Sequence, residues 1–222
     1  MPGFDVPGYG FVDDLLISAS VTSIDGPGRV PAEAGPDWVR VSGRPPIHGV
    51  MRFDSADVMM AINNGSFQDM VLHEMGHVLG IGSLWAAFGL KDGAGSAYFG
   101  QYGLEAYHQL GGPGSFVPLE TTGGPGTAGV HWSEAVFGNE LMTGFISGPN
   151  NPLSRVTIGG LRDLGYSVDY GGATPYRIPA RALDGQGGVW SVAADRRSSL
   201  DVVFATEDED ENVWPIRIHR AS

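Results

Sequence analysis

The residues His73-Glu74-Met75-Gly76-His77-Val78-Leu79-Gly80 combine two histidines, a glutamate and a glycine at a spacing suited to metal-assisted hydrolysis. On a helix, His73 and His77 lie four residues apart on one face, so their imidazole nitrogens can converge on a single point. Imidazole is a common zinc ligand, and Glu74 beside the pair is placed to polarise a metal-bound water without ligating the ion itself. A chance match on a surface helix would leave only solvated polar side chains, and the flanking residues argue against that. Ser66 followed by Asp69 predicts a capping box that opens a helix over about Ser66 to Leu79. Phe67, Val71, Met75 and Val78 recur at helical spacing as one apolar stripe, and His73, Glu74 and His77 fall off it alongside Met70. Gly80 then predicts a left-handed stop, after which the chain can bring a third ligand from outside the helix.

Four histidines remain to supply that ligand. His108 falls in a predicted helix, Tyr98–Leu110; His48 follows Pro45-Pro46 ahead of a predicted edge strand; His219 lies near the end of the chain. His131 differs, because it opens His131-Trp132-Ser133-Glu134 and leads to Asn139-Glu140-Leu141-Met142-Thr143-Gly144. A methionine in a tight turn at that distance would form a thioether floor under a metal site, although Met before Thr-Gly reads first as core packing when taken alone. Glu105 or Glu120 as third ligand would give a gluzincin-like peptidase instead. Gly80 and the His131–Met142 pair count against it.

The run His73–Gly80, a long insertion, then His131 and Met142, resembles the leishmanolysin-type metzincin peptidases, bacterial members above all, over about Val12 to Tyr170. Other metzincins carry the third histidine three residues after the glycine, where this chain has Ser83; in the leishmanolysin type an insertion intervenes. Val12-Asp13-Asp14-Leu15-Leu16-Ile17, Ile24-Asp25-Gly26-Pro27-Gly28, Ile81-Gly82-Ser83-Leu84-Trp85, Gly123-Gly124-Pro125-Gly126-Thr127 and Leu161-Arg162-Asp163-Leu164-Gly165-Tyr166 are similar to that family too. The resemblance implies one catalytic zinc ion (Zn2+) held by His73, His77 and His131, with Gly80 ending the helix and a Met-turn at Met142. Glu74 would be the general base that takes the attacking water's proton and passes it to the leaving amine. No tyrosine joins them, since Gly144 and Phe145 follow Thr143. It further implies an α+β fold: a mixed twisted sheet, an active-site helix and a C-terminal helix, in a secreted or extracytoplasmic protease. Family catalytic domains begin with a strand and a long helix ahead of the Asp-Asp-Leu-Leu-Ile strand; about ten residues precede it here, so that helix is expected to be missing.

Protein or peptide substrates would lie extended beside an edge strand, with Ile47–Phe53 as the candidate and Ile47 and Val50 as contacts. Residues near Val136, Phe137 and Thr143–Ile146 would wall an apolar pocket, with Phe137 and Thr143 touching substrate. A non-catalytic binding module that keeps the fold is the reading from a different class, and an intact Glu74 counts against it.

Composition narrows the remaining choices. A net charge of −12 and a pI near 4.7 exclude a nucleic-acid partner, which needs clustered bases. No apolar run approaches the length of a membrane span, and Met1-Pro2-Gly3-Phe4-Asp5 has neither the basic start nor the apolar stretch of a secretion signal. The absence of cysteine suits either redox compartment and excludes a cysteine switch within the chain. Residues 1–170 are expected to form the catalytic domain, with strands at Val12–Val21, Trp38–Val41 and Ile47–Phe53. A helix near Gly100–Leu110 falls inside the Gly89–Gly129 insertion, and a last helix spans Leu153–Leu164 with Ser154 as its N-cap. Residues 171–222 are expected to form a small β-rich extension, with strands at Val189–Val192, Leu200–Phe204 and Trp214–Ile218. There the acidic run Glu207–Glu211 offers oxygen ligands to calcium (Ca2+), or is a solvated loop.

Overall fold

The structure is a computed structural model that describes residues 4–6, 8–12, 14–40, 44–146 and 148–179, and the strand segments 190–191, 202–204 and 216–218. A hairpin of β1 (Phe4–Val6) and β2 (Gly10–Val12) leads into β3 (Leu16–Thr22), β4 (Ala32–Arg40) and β5 (Arg44–Asp54). These last three form one mixed sheet in the order β3-β5-β4, with β3 parallel and β4 antiparallel to β5. The predicted strands are present in part: Val12 ends β2 and the Val12–Val21 strand begins only at Leu16, while Ile47–Phe53 lies in the central strand and is not an edge. Its backbone groups are engaged on both sides, and Ile47 is fully buried. The edges are β3 and β4; β4 starts at Ala32, six residues before the predicted Trp38, and keeps Pro36 beside a register irregularity.

Two short links then reach α1 (Val58–Asn63) and α2 (Phe67–Val78). Met51 and Phe53 of β5 with Ala32 and Ala34 of β4 meet Phe67, Met70, Val71, Met75 and Val78 of α2 in one apolar cluster. Close approach is possible because β5 carries Gly49 there: a Cβ at that position would stand 2.5 Å from Val78 Cγ1. Strand alternation sends His48 and Val50 to the opposite face of the sheet. On that face the His48 ring takes Asp37 Oδ1 at Nδ1 (2.5 Å) and Ser18 Oγ at Nε2 (2.9 Å), tying the three strands together under the ring of Tyr9. Asp54, at the end of β5, accepts the backbone N–H groups of Ile24, Asp25, Gly26 and Ala56. Burial pushes this carboxyl up, but the four donors outweigh it and hold it below its ordinary range.

Beyond α2 the chain builds a second core. It contains β6 (Ala97–Tyr98), α3 (Gln101–Gln109), β7 (Val117–Pro118), α4 (Glu134–Phe137) and α5 (Arg155–Asp163), while Ile146 of β8 (Phe145–Ile146) joins the first cluster. Trp85, Tyr98, Trp132 and Phe137 pack at the centre of the second core in tilted and edge-to-face contacts, with ring centroids 4.6–6.1 Å apart. Ser154 caps α5 as expected, its Oγ accepting from the N–H groups of Val156 and Thr157. At the other end Asp163 accepts from Tyr98 Oη and from the N–H groups of Tyr102 and Gly103, which locks α5 to the first turn of α3. The three predicted strands of the tail each contain a short one: β9 (Trp190–Ser191), which pairs with β8, and β10 (Val202–Phe204), which pairs with β11 (Ile216–Ile218). The acidic run Glu207–Glu211, with the calcium reading attached to it, and His219 lie outside the described residues. Among the described residues no helix is long and apolar enough to cross a membrane.

Candidate metal centre

The helix that carries His73 and His77 is started by tertiary contacts rather than by the predicted capping box. Ser66 makes no side-chain cap; its Oγ donates to Asn64 Oδ1 (2.7 Å). Asp69 is instead engaged by the N–H and side-chain amide of Asn151, at 2.8 and 2.9 Å, which anchors the first turn of α2 to the loop before α5. Met70, expected on the polar side, is buried in the sheet cluster. A helix wedged between two cores is buried over more than its narrow apolar stripe, and Met70 fills the margin.

Gly80 ends α2 in the predicted manner, with φ +109°. Ile81 N–H donates to Gly76 O and Gly80 N–H to His77 O, the bonding pattern of a glycine-terminated helix. That reversal points the Ile81 carbonyl back at His77, whose Nδ1–H donates to it at 2.9 Å. Ser83, standing where the short motif would place a third histidine, donates from Oγ to His77 O (2.6 Å) and so completes the helix end.

His131 arrives from the other core. Its Nδ1–H donates to Thr127 O (2.9 Å), its own carbonyl accepts from Glu120 N–H, and the adjoining Trp132 N–H donates to Met142 O. His73 Nδ1–H donates to Leu141 O (2.6 Å). A carbonyl can only accept, so all three rings carry their proton on Nδ1 and present an Nε2 lone pair. The three Nε2 atoms lie 2.9, 3.0 and 3.1 Å from one another, in a site where all three histidines are fully buried. Three lone pairs facing one another repel unless a cation sits among them. Two nitrogens at about 2.0–2.1 Å from a tetrahedral zinc stand about 3.3 Å apart, so the cluster is close to the size that such an ion needs. Among the described residues it is the one group of three such side chains able to hold a metal ion.

Electrostatics favour neutral ligands. Burial lowers the His77 pKa from 6.5 to about 4. Burial, then the neighbouring imidazoles, push His73 and His131 well below their ordinary value. Glu74 is fully buried on the same helix. Met142, also fully buried, lies against α2 at Gly76: a Cβ there would come within 2.5 Å of the Met142 sulfur. The close seat of the methionine under the ligand helix therefore depends on a glycine between the two histidines. A glycine in mid-helix costs about 1 kcal/mol relative to alanine and so signals a packing reason, the one clue to it in the sequence. Thr127, Ile81 and Leu141 act through backbone carbonyls, which leave no trace in residue type.

Three of the four expected substrate contacts, Ile47, Phe137 and Thr143, are fully buried. Phe137 is fully buried, with its ring centroid 5.6 Å from that of Tyr107, and Thr143 is fully buried with Oγ1 donating to Glu140 O (2.8 Å). Both are interior because the stretch 137–143 folds inward to carry the methionine. Ile47 is sealed inside the central strand, and Val50 faces away from α2. Val136 and Phe145 remain half-buried. Neither carboxylate alternative reaches the cluster: Glu105 is exposed on α3, and the oxygens of Glu120 are occupied by donors from Thr121, Thr122 and Glu134.

The leishmanolysin family model matches residues 109–176. This stretch holds His131, Met142 and α5 but excludes His73–Gly80, so the match and the α2 motif are separate signals that meet in one histidine cluster. The chain is similar to leishmanolysin in that stretch, which supports a zinc metallopeptidase. No curated protein matches the chain significantly.

Proposed function

We propose that this leishmanolysin-like chain is a metzincin-type zinc endopeptidase, secreted or extracytoplasmic, with residues 1–170 as its catalytic unit and 171–222 as a β-rich extension. The observation that carries the reading is the convergence of three buried, Nδ1-protonated histidines within 3.1 Å, with Glu74 buried on the helix that bears two of them. His73, His77 and His131 would hold the ion as neutral ligands, each ring oriented by the carbonyl that its Nδ1–H engages. When bound, zinc supplies Lewis-acid polarisation of the scissile carbonyl and makes water acidic enough to react near neutral pH. Glu74 takes the proton of the attacking water and returns it to the leaving amine.

Substrate would add as an extended strand along β4, the edge that packs on α2, rather than along β5. Val136 and Phe145, half-buried on either side of the inward-folded 137–143 stretch, take the place of Phe137 and Thr143 as candidate pocket walls and favour apolar side chains.

Zinc content and casein cleavage, each with and without a chelator, test the proposal together with Glu74→Gln. The wild type should hold one zinc per chain and cleave; Glu74→Gln should keep the metal and lose cleavage by at least about 100-fold. A Glu74→Gln protein cleaving at the wild-type rate would overturn the assignment. Zinc without cleavage in the wild type would favour a binding module.

A further inference from the structure

Glu140 is 1% exposed, and its carboxylate accepts three hydrogen bonds from groups distant in the chain or across a turn. Oε2 accepts from Met142 N–H at 2.6 Å; Oε1 accepts from Ser154 N–H at 3.0 Å and from Thr157 Oγ1 at 2.6 Å. Thr157 Oγ1 in turn accepts from Trp132 Nε1 at 2.8 Å. One carboxylate therefore joins the turn at Met142, the start of α5 and the indole next to His131.

We propose that Glu140 is a positioning residue that sets the geometry of two of the three histidines, His73 and His131, and leaves the third to a separate support. This rests on the metal-centre reading above. Two connections carry it. Leu141 lies between the carboxylate and the N–H that it binds, so the clamp on Met142 N–H fixes the peptide plane whose carbonyl orients His73. Trp132 is held twice, by its backbone N–H on Met142 O and by its indole through Thr157, and it adjoins His131 in the chain. His77 is oriented instead by Ile81 O, in the turn after Gly80.

A carboxylate is required because both of its oxygens accept. In Glu140→Gln the amide NH2 must face either Met142 N–H or the Ser154 and Thr157 donors, putting donor against donor with almost no change in shape. Thr157→Val removes the hydroxyl that relays to Trp132, whereas Thr157→Ser keeps it. Losing an outer partner of a metal ligand typically weakens metal binding by about 10–100-fold.

The test uses the full chain, with zinc affinity read by chelator competition and ligand geometry by the visible absorption of the cobalt(II)-substituted protein. Glu140→Gln and Thr157→Val should bind zinc about 10–100-fold more weakly and change the cobalt spectrum, with Thr157→Ser close to wild type. Asp163→Asn, which loosens the far end of α5, serves as the control for mere destabilisation. It should lower the melting temperature and leave zinc affinity and cobalt spectrum alone. Should Glu140→Gln fail to fold, the Thr157 pair decides alone. Wild-type affinity and spectrum in Thr157→Val, or equal zinc loss in Asp163→Asn, would overturn the inference. Failure of the wild type itself to bind zinc would instead overturn the metal-centre reading.

Discussion

Gly82→Ala is the most demanding single substitution for this site, because it strains two ligand supports at once. Gly82 has φ +74°, and a Cβ added there would stand 1.9 Å from Val130 O, 2.8 Å from Val130 C and 3.0 Å from Val130 Cβ. One neighbour in sequence, Ile81, carries the carbonyl that orients His77, while Val130 precedes His131. A left-handed backbone costs a non-glycine residue about 1–2 kcal/mol. Overpacking a filled interior adds about 1–3 kcal/mol, and the upper part of that range applies because the atom struck is backbone and cannot rotate away. The total is roughly 3–5 kcal/mol, or about 6–20 °C in melting temperature for a chain of this size. Calorimetry of the zinc-free protein measures that term. Chelator competition should show weaker zinc binding as well, since relief of the clash moves the 81–83 turn away from 130–131. Gly35→Ala, whose Cβ would meet nothing within 4 Å, is the control and should stay within about 0.5 kcal/mol of wild type. A Gly82→Ala protein that melts within about 3 °C of wild type and binds zinc normally would refute the close-approach argument.

Removing zinc should destabilise the chain, because the ion binds the folded state: at free zinc 100-fold above the dissociation constant, the stabilisation is about 2.7 kcal/mol. A chelator that leaves the melting temperature unchanged would contradict this. The zinc-free protein should also lose stability as pH falls from 6.5 toward 4, since unfolded His77 takes up a proton that the buried ring refuses down to about 4. Urea midpoints that stay flat across that window would exclude it. Gly76→Ala gains about 1 kcal/mol of helix propensity yet meets the Met142 sulfur at 2.5 Å, so unfolding experiments should show a net loss of up to about 2 kcal/mol. A more stable protein would mean that Met142 moves aside freely. Asp54→Asn turns one acceptor oxygen into a donor facing backbone N–H groups and should lower stability by roughly 2–4 kcal/mol, read by denaturant unfolding.

Edge and centre of the sheet could not be told apart in the chain. Ile47–Phe53 reads as an isolated apolar run, and β4 reads as a shorter strand because Gly35 and Pro36 interrupt its pattern. Which of the two lies outside depends on strand order, which no local periodicity encodes. For the same reason the walls of a cleft could not be placed: Phe137 and Thr143 are adjacent to the right residues in sequence but turn inward with the stretch that carries Met142. Ser66 and Asp69 have the right types for a capping box, yet Asn151 competes for Asp69 and wins, because it also closes the loop onto α2.

What the sequence by itself determined is local and periodic: a helix with His73 and His77 one turn apart, its stop at Gly80, and the N-cap at Ser154. Each follows from the 3.6-residue repeat or from a backbone conformation that one residue type favours. His131 and Met142 stand out in the chain by residue type and spacing, but only resemblance makes them ligand and Met-turn. Tertiary structure alone decided that His131 comes within 3.1 Å of the helical pair, that three carbonyls turn the rings so that their lone pairs meet, and that β5 is the centre of the sheet. The physical reason is that a carbonyl belongs to every residue alike, so its direction is set by packing of distant segments and leaves no mark on the sequence that carries it.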